Sequence, residues 1–195
     1  AVLRIGAIVV NVNPLYTARE LEHQMKDSGA KAIVIFANSA AILQKVLPQT
    51  NLQHVILTEI GDMLKFPKNH IVNFVIKNVK KMVPAYELPS ATSFLDCVAK
   101  GNAAAYVRPD VKLDDIAFLQ YTGGTTGVAK GAMLTHKNIL SNIFQAGGWL
   151  RSFATEGKEI MITPLPLYHI FSLTANCLFY GYIGALNILI TNPRD

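Results

Sequence analysis

The sequence predicts an α/β fold with layers in the order α/β/α around a mostly parallel sheet. Short apolar runs that are typical of buried strands alternate with segments of helical periodicity. The helical segments also begin and end with recognisable capping residues, and the chain contains no internal repeat. At 195 residues, 51% of them hydrophobic, the chain can bury a sizeable core.

The first part of the chain alternates predicted strands with predicted helices. Residues 7–12 are apolar apart from one Asn and predict a buried parallel strand. Thr17 is expected to open a helix, because Glu20 three residues later completes a capping box, and Gly29 is expected to close it. Further predicted elements are a strand at 32–36, a helix at 39–47, a strand at 55–57 and a helix at 93–100 that ends at Gly101.

Residues 68–82 predict a basic amphipathic helix. Its apolar stripe consists of Ile71, Val75, Val79 and Met82. No acidic residue lies between positions 62 and 87, whereas five lysines do: Lys65, Lys68, Lys77, Lys80 and Lys81. A lysine-rich face of this kind is usually only solvated. A second interpretation is that the helix docks on anionic lipid.

The second part of the chain continues the alternation. Residues 102–115 predict a polar linker, 116–121 and 132–134 predict strands, and Thr135 is expected to cap a helix that runs to about Leu150. Residues 160–193 contain no Asp, Glu, Lys or Arg and are long enough to span a membrane. Pro, Gly and Asn residues divide this stretch, so it predicts a loop, a buried helix near 172–182 and a strand near 186–191 instead.

The chemistry of the chain is concentrated in the glycine- and threonine-rich segment that follows the strand at 116–121. Glycines let backbone N–H groups crowd around an anion. Threonine hydroxyls add neutral donors, and a lysine adds a compact charge that suits a phosphate oxygen. The segment therefore predicts a polyphosphate site, with ATP as the favoured ligand. Its residues are Tyr121, Thr122, Gly123, Gly124, Thr125, Thr126, Gly127, Val128, Ala129, Lys130, Gly131 and Ala132.

The spacing within this segment excludes two common phosphate-binding motifs. A Walker A loop ends in Gly-Lys-Ser/Thr, but here Val128 and Ala129 separate Gly127 from Lys130. A dinucleotide fingerprint needs G-x-G-x-x-G, and neither Gly123 nor Gly124 begins that spacing. A simple Gly/Thr turn between strands is the structural alternative, and a terminal Lys-Gly pair is rare in such turns.

The string does resemble the phosphate-loop signature of the adenylate-forming superfamily: aromatic, Thr/Ser, small, Gly, Thr/Ser, Thr, Gly, two variable residues, Lys and Gly. A second stretch, PLPLYHIF at 164–171, resembles the proline-rich loop with an aromatic-His pair that follows in that superfamily. A lone His beside apolar residues is more often structural, but the upstream loop makes His169 a candidate functional residue. Essentially all 195 residues, from VNVNPLYTARELEHQMKDSGAKAIV to ITNPRD, resemble the bacterial long-chain fatty acid–CoA ligases of that superfamily.

The resemblance implies ATP-dependent activation of a long-chain fatty acid to an acyl-adenylate and then to acyl-CoA, with release of AMP and pyrophosphate. Lys130 and His169 are the implied catalytic residues, 121–132 is the implied nucleotide-binding segment, and Thr122 is the implied Mg²⁺ ligand. Coenzyme A is the implied co-substrate. Phe171, Leu173 and Phe179 form either an acyl-pocket wall or ordinary core. An enzyme for a medium-chain or aryl acid and a nucleotide-binding module without activity stay open as alternatives.

The resemblance also sets expectations about partners, location and extent. No nucleic acid partner is expected, whereas peripheral contact with the inner membrane and a homodimer are. Cys97 and Cys177, in unrelated contexts, imply neither a disulfide framework nor a metal site and favour a reduced, cytoplasmic setting. Residues 1–6 are typical of a final helical turn that closes on glycine. We therefore expect 1–195 to be part of the N-terminal AMP-binding domain, truncated at both ends and without its C-terminal domain.

Overall fold

The computed structural model of the chain describes residues 1–122 and 129–190 and divides into two compact units. Residues 12–107 form one unit, and residues 1–11 together with the chain from 108 onwards form the other. Each unit combines parallel strand pairs with helices, as the predicted fold class requires. The strands are distributed over three small sheets in the described part of the chain.

The unit of residues 12–107 is built on a parallel sheet of three strands. Strands β2 (Ala32–Phe36), β3 (His54–Thr58) and β4 (Thr92–Ser93) lie in that order, with Ala32 opposite His54 and Ile56 opposite Thr92. Helix α1 (Ala18–Ser28) precedes β2 along the chain. Helix α2 (Ala40–Val46), flanked by single 3₁₀ turns, connects β2 to β3. The predicted strands at 32–36 and 55–57, the predicted helix at 39–47 and the helix that Thr17 opens are confirmed.

The core of this unit lies between α1, α2 and one face of the sheet. Leu43 and Ala40 are fully buried there. The cluster also contains Leu21, Met25, Ile33, Val46, Val55 and Leu88. On the opposite face of β2, Val34 and Phe36 are exposed, so this small sheet is packed on one side within its unit.

Helix α1 begins with the predicted capping box. The Thr17 hydroxyl accepts a hydrogen bond from the backbone N–H of Glu20, and the Glu20 carboxylate accepts from the Thr17 backbone N–H at 2.8 Å. The Thr17 hydroxyl also donates to that carboxylate at 2.7 Å. Gly29 ends the helix at φ 63°, a left-handed conformation that glycine adopts without a Cβ clash.

These hydrogen bonds make the start of α1 sensitive to pH. Hydrogen bonds from the Thr17 hydroxyl and then from its backbone N–H lower the pKa of Glu20. A carboxyl group with a lowered folded-state pKa stabilises the fold above its unfolded pKa, about 4.3, and that stability is lost as the pH falls through the lowered value. In Thr17→Val we expect the NMR titration midpoint of Glu20 to rise towards 4.3. An unchanged midpoint in that variant would contradict the contribution of the cap.

Two helices of this unit differ from the predictions. Helix α3 (Lys68–Phe74) continues into a π-helical segment (Val75–Val79), in which the N–H of Lys80 donates to the carbonyl of Val75 at 2.8 Å. The predicted stripe is not buried: Ile71, before the π turn, and Val79 and Met82, at its end and beyond it, are all exposed. Helix α4 (Phe94–Ala103) runs through Gly101, so the predicted stop was wrong. Nothing lies within 4 Å of a Cβ built at Gly101.

The other unit contains a three-stranded sheet in the order β1-β5-β6. Strand β1 (Val9–Val10) is shorter than the predicted 7–12 and pairs in parallel with β5 (Ile116–Thr122). Strand β6 (Lys130–Thr135) pairs with β5 in antiparallel orientation. Only residues 123–129 separate the two strands, and a parallel crossover needs a dozen or more residues, so the antiparallel return follows from chain length.

The rest of this unit packs helices against strands. Helix α5 (His136–Leu150) starts at Thr135 in a capping box with Asn138 and ends where predicted. A π-helical segment (Ser172–Phe179) and a short α6 (Tyr180–Tyr182) form the predicted buried helix. Strand β7 (Ile160–Thr163) pairs in parallel with β8 (Leu186–Leu189), which corrects the prediction that 160–163 belong to a loop. In the described part of the chain no helix has the length and apolar character to cross a bilayer.

Candidate functional site

The antiparallel pair β5–β6 holds the two ends of the phosphate-loop segment side by side. Thr122 and Lys130 are directly opposite each other in the strand register, and both are exposed. Side chains of directly opposed residues project from the same face of a sheet. The pair therefore places one hydroxyl and one ammonium group together where the loop leaves and rejoins the sheet. Gly123, Gly124, Thr125, Thr126, Gly127 and Val128 lie outside the described residues.

Next to this pair, an aromatic ring lies over a glycine. Tyr121 is 8% exposed and pairs with Gly131. A Cβ built on Gly131 would lie 2.9 Å from Cε2 and 3.0 Å from Cζ of the Tyr121 ring, closer than real Cβ atoms approach. The packing of the Tyr121 ring therefore requires a glycine at position 131. Ala129 is half-buried, and Ala132 is exposed and lies opposite Gln120.

Gln120 connects strand β5 to the loop that carries His169. Its side chain is 6% exposed, and Nε2 donates to the carbonyl oxygen of Tyr168 at 3.0 Å. Its Oε1 accepts a longer hydrogen bond of 3.5 Å from Nδ2 of Asn11. Sequence reasoning missed Gln120. A glutamine inside an otherwise apolar run was the available signal, because a buried polar side chain requires a specific partner.

Hydrogen bonds within the loop define the backbone around His169. The backbone N–H of His169 donates to the Pro166 carbonyl at 3.0 Å, and its carbonyl accepts from the N–H of Leu173 at 2.9 Å. The fully buried Ser172 hydroxyl donates to the Leu165 carbonyl at 2.8 Å. These contacts make 165–173 a turn that leads directly into the π-helical segment.

The His169 side chain is exposed at the surface of this turn. Its Nδ1 accepts a hydrogen bond from the backbone N–H of Phe171 at 3.3 Å. Since an accepting ring nitrogen carries no proton, the neutral imidazole has its proton on Nε2. The ring therefore presents an N–H donor on its Nε2 side, which suits a carboxylate or phosphate oxygen.

Packing against the strand supports the same arrangement. Leu173, in the first turn of the π-helical segment, is buried with Ala117 and Phe118 of β5, and Ile170 packs against the same cluster. Apolar contacts and the Gln120 hydrogen bond thus hold the His169 turn to the strand that leads into the phosphate loop. Tyr121, Thr122, Lys130 and Gly131 therefore lie on the strand pair β5–β6. The His169 turn packs directly against β5.

Replacing Gln120 by leucine is expected to loosen this connection. The change removes the donor to the Tyr168 carbonyl at nearly constant side-chain size, and a lost buried hydrogen bond costs about 1–3 kcal/mol. We expect faster hydrogen exchange of the His169 amide, measured by NMR or mass spectrometry. Gln145→Leu, on an exposed position of α5, is the matched control and is expected to leave that exchange unchanged. Equal protection in Gln120→Leu and the native protein would contradict the assigned connection.

A second network of buried polar groups connects the π-helical segment to strands β7 and β8. The Thr163 hydroxyl, on β7, donates to Oδ1 of Asn187 on β8, and Nδ2 of Asn187 donates to the Asn176 carbonyl. Thr163 and Asn176 are both buried. This network also escaped sequence reasoning, because it depends on the unpredicted strand β7.

The three predicted wall residues have different environments. Leu173 is a core residue, and Phe171 is 60% exposed. Phe179 is buried and also borders a cavity of about 340 Å³ between α5 and the end of the helical segment. The cavity is lined further by Phe144, Gly147, Leu150, Tyr182 and Ile183, with Arg151 and Glu156 among its polar residues.

The described residues include no group of three or more His, Cys, Asp or Glu side chains that could hold a metal ion. Thr122 offers one exposed hydroxyl oxygen, a hard ligand that suits Mg²⁺. Mg²⁺ commonly keeps several waters and binds through substrate phosphates, so a single threonine fits an ion that arrives with a nucleotide. Cys97 and Cys177 are free thiols in this structure.

Comparison with known proteins places these features in a family. The family profile described as AMP-binding enzyme matches residues 1–195. A long-chain-fatty-acid–CoA ligase of Salmonella typhimurium is 57% identical over 194 residues, which cover 100% of this chain and 35% of that protein. A protein of the same name from Haemophilus influenzae is 56% identical over 196 residues, again 100% of this chain and 35% of the relative.

Solved structures show the same fold. ATP-bound MatB from Rhodopseudomonas palustris superimposes with a TM-score of 0.68 at 22% identity, over 98% of this chain and 32% of that chain. The chain spans about a third of the length of the curated relatives that it matches. The matched part of this chain includes both the strand pair β5–β6 and the His169 turn.

Proposed function

Because this chain belongs to the family of AMP-binding enzymes, we propose that it forms part of an enzyme that activates a long-chain fatty acid with ATP. The names of the relatives from Salmonella typhimurium and Haemophilus influenzae support the substrate class. One structural observation carries the proposal: Gln120 and the Leu173 contacts tie the His169 turn to the strand that ends at the phosphate loop.

The chemistry overcomes a poor leaving group. A carboxylate does not react with a thiol, since oxide would have to depart. In the first step a carboxylate oxygen attacks the α-phosphorus of ATP, the bond to the β-phosphate oxygen breaks, and acyl-adenylate and pyrophosphate form. In the second step the thiol of coenzyme A attacks the acyl carbon, AMP departs with the bonding electrons, and the thiol proton is released.

The residues of this chain act by position and charge. Lys130 offsets the negative charge that accumulates on the departing pyrophosphate, and the 121–132 segment binds the phosphates. Thr122 supplies an oxygen ligand for Mg²⁺, which when bound neutralises phosphate charge. His169 orients the fatty-acid carboxylate through its Nε2–H. A general base is not needed in this step, because carboxylic acids are already ionised near neutral pH.

Residues 1–195 are proposed to be part of the N-terminal AMP-binding domain of that enzyme. Acyl-CoA formation is expected to need, besides these residues, the lysine of a C-terminal domain and acidic residues downstream. A cytoplasmic location fits an ATP- and coenzyme A-dependent reaction. The homodimer stays a prediction.

The test is carboxylate-dependent exchange of labelled pyrophosphate into ATP, with the protein at its full natural length and with acids of short, medium and long chain. We expect exchange that requires a long-chain acid. Exchange that is best with an aryl or medium-chain acid would replace the substrate class and retain the adenylation step. ATP binding without exchange for any acid would favour a nucleotide-binding module.

The 195-residue chain by itself is expected to produce no acyl-CoA, because the reaction is expected to need the lysine of a C-terminal domain and acidic residues downstream. Its activity can be measured by thioester formation from fatty acid, ATP and coenzyme A, with the full-length protein as the positive control. Turnover by the purified chain would show that this segment contains a complete active site.

A further inference from the structure

The segment that follows the His169 turn is wound as a π-helix rather than an α-helix. It runs over Ser172–Phe179 and continues as α-helix from Tyr180. π-Helical turns are rare, occur mostly inside α-helices and are frequently found at functional sites. The hydrogen bonds at the end of this segment show what stabilises its form.

Where the π-helical segment ends, the backbone donors pass over one carbonyl group. The N–H groups at the Tyr180 cap donate to the carbonyls of Ala175 and Cys177, on either side of Asn176. A change from π to α spacing skips one carbonyl, because a donor five residues further on is replaced by one four residues further on. The Asn176 carbonyl instead accepts a hydrogen bond from a side chain, Nδ2 of Asn187 on β8.

Strand β7 orients the side chain that makes this hydrogen bond. The Thr163 hydroxyl donates to Oδ1 of Asn187. An asparagine amide has one acceptor end and one donor end, so fixing Oδ1 also directs Nδ2 towards the Asn176 carbonyl. Thr163 is 2% exposed and Asn176 5%, so water has little access to replace either partner. A buried carbonyl that loses its donor is costly, and Thr163 and Asn187 therefore stabilise the π-helical form.

Apolar packing holds the two ends of the segment in different clusters. Leu173, at the start, is buried with two residues of β5, whereas Phe179, at the end, is buried with Ile143 of α5. A slip of one residue would rotate one end relative to the other by about 100°. The π-helical form thus determines how the first cluster, and the turn before it, is oriented relative to the second.

The start of the segment is continuous with the His169 turn. The N–H of Leu173 donates to the His169 carbonyl at 2.9 Å, and the Thr174 hydroxyl donates to the Ile170 carbonyl at 2.8 Å. A change of helical form would therefore move the backbone that carries His169 and the exposed side chain of Phe171.

We propose that Thr163 and Asn187 are positioning residues for the fatty acid. Their hydrogen bonds stabilise the π-helical form of the segment, and this form sets how the His169 turn and the side chains after it face the bound acid. Both residues act through the segment rather than by touching the reacting atoms. The role towards the fatty acid rests on the proposed function, whereas the stabilisation of the π-helical form does not.

The test compares Thr163→Val, which removes the hydroxyl at nearly constant shape, with Thr163→Ser, which retains it. Both are made in the full-length protein. A lost buried hydrogen bond corresponds to about 5- to 150-fold in an equilibrium constant, so the amides of residues 176–181 are expected to exchange faster by a factor in this range in Thr163→Val. In pyrophosphate–ATP exchange the KM for the long-chain acid is expected to rise by about fivefold or more, with the KM for ATP within about twofold. Asn187→Leu, which removes the donor itself, is expected to give the same pattern.

Thr163→Ser is expected to restore the native values. Thr155→Val, at an exposed position before β7, is the matched control and is expected to leave them unchanged. Equal rises in both KM values would indicate a general loss of structure and overturn the positioning role, as would an unchanged KM for the acid beside faster amide exchange.

Two further outcomes separate this inference from the proposed function. Unchanged exchange of the 176–181 amides in Thr163→Val and Asn187→Leu would overturn the stabilisation of the π-helical form, whatever the native protein catalyses. Absence of pyrophosphate exchange by the native protein with every acid would contradict the proposed function and the role towards the fatty acid, and would leave the amide exchange to decide the π-helical form.

Discussion

Replacing Lys130 by alanine is expected to slow acyl-adenylate formation by about 10²–10³-fold, the range found when one pre-positioned donor to a developing charge is removed. Lys130 lies opposite Thr122 where the phosphate loop rejoins the sheet, and its ammonium group is proposed to offset charge on the departing pyrophosphate. The measurement is pyrophosphate–ATP exchange with the full-length protein. Thiol transfer from added acyl-adenylate is measured in parallel and is expected to change far less, because the pyrophosphate has left by then.

Lys137→Ala is the matched control for this prediction. Lys137 is also exposed and lies in the first turn of the helix that follows β6. The control is expected to leave both half-reactions within about twofold, as surface substitutions usually do. If Lys130→Ala slowed both half-reactions equally, its assigned role in adenylation would be wrong and a general effect on folding would explain the loss.

Replacing Leu43 by alanine is expected to destabilise the unit of residues 12–107 by about 2–5 kcal/mol. Leu43 is fully buried on α2, in the cluster that α1, α2 and the sheet share. The change removes apolar contact area and leaves a cavity that close packing cannot fill without moving the helices. Native-state hydrogen exchange of α1 and α2 amides in the full-length protein measures the loss for this unit separately.

The corresponding control is Leu15→Ala. Leu15 is 83% exposed, so the same chemical change is expected to alter the free energy of opening by no more than about 0.5 kcal/mol. Comparable losses of protection in the two variants would show that Leu43 is not part of a packed core.

Local signals in the sequence predicted much of the fold, because the interactions that they encode are local. Both capping boxes, at Thr17 and Thr135, join residues three apart, and they set the starts of α1 and α5. The strand Ala32–Phe36 and the end of α5 at Leu150 lie where the apolar patterns predicted them. Over residues 68–82 the same periodicity identified the helix but misassigned its buried face, since Ile71 before the π turn and Val79 at its end are both exposed.

The phosphate-loop segment and His169 were also recognisable from sequence, because the types and spacing of their glycine, threonine, lysine and histidine residues indicate a chemical role. Their arrangement was not. Gln120 reaches the Tyr168 carbonyl across 48 positions of sequence, and β7 finds its partner β8 only after the helical segment between them. No local sequence pattern predicts contacts between residues so far apart in the chain.

The sequence by itself thus determined the fold class, most helix and strand positions, the family and the candidate residues of the phosphate loop. Tertiary structure alone decided that β1 pairs with β5, that Tyr121 packs over Gly131, and that the His169 turn is tied to the phosphate-loop strand. The physical reason is that capping and periodicity depend on neighbours within one or two turns. Strand pairing, burial and hydrogen bonds to distant carbonyls depend on residues that meet only after the chain has folded.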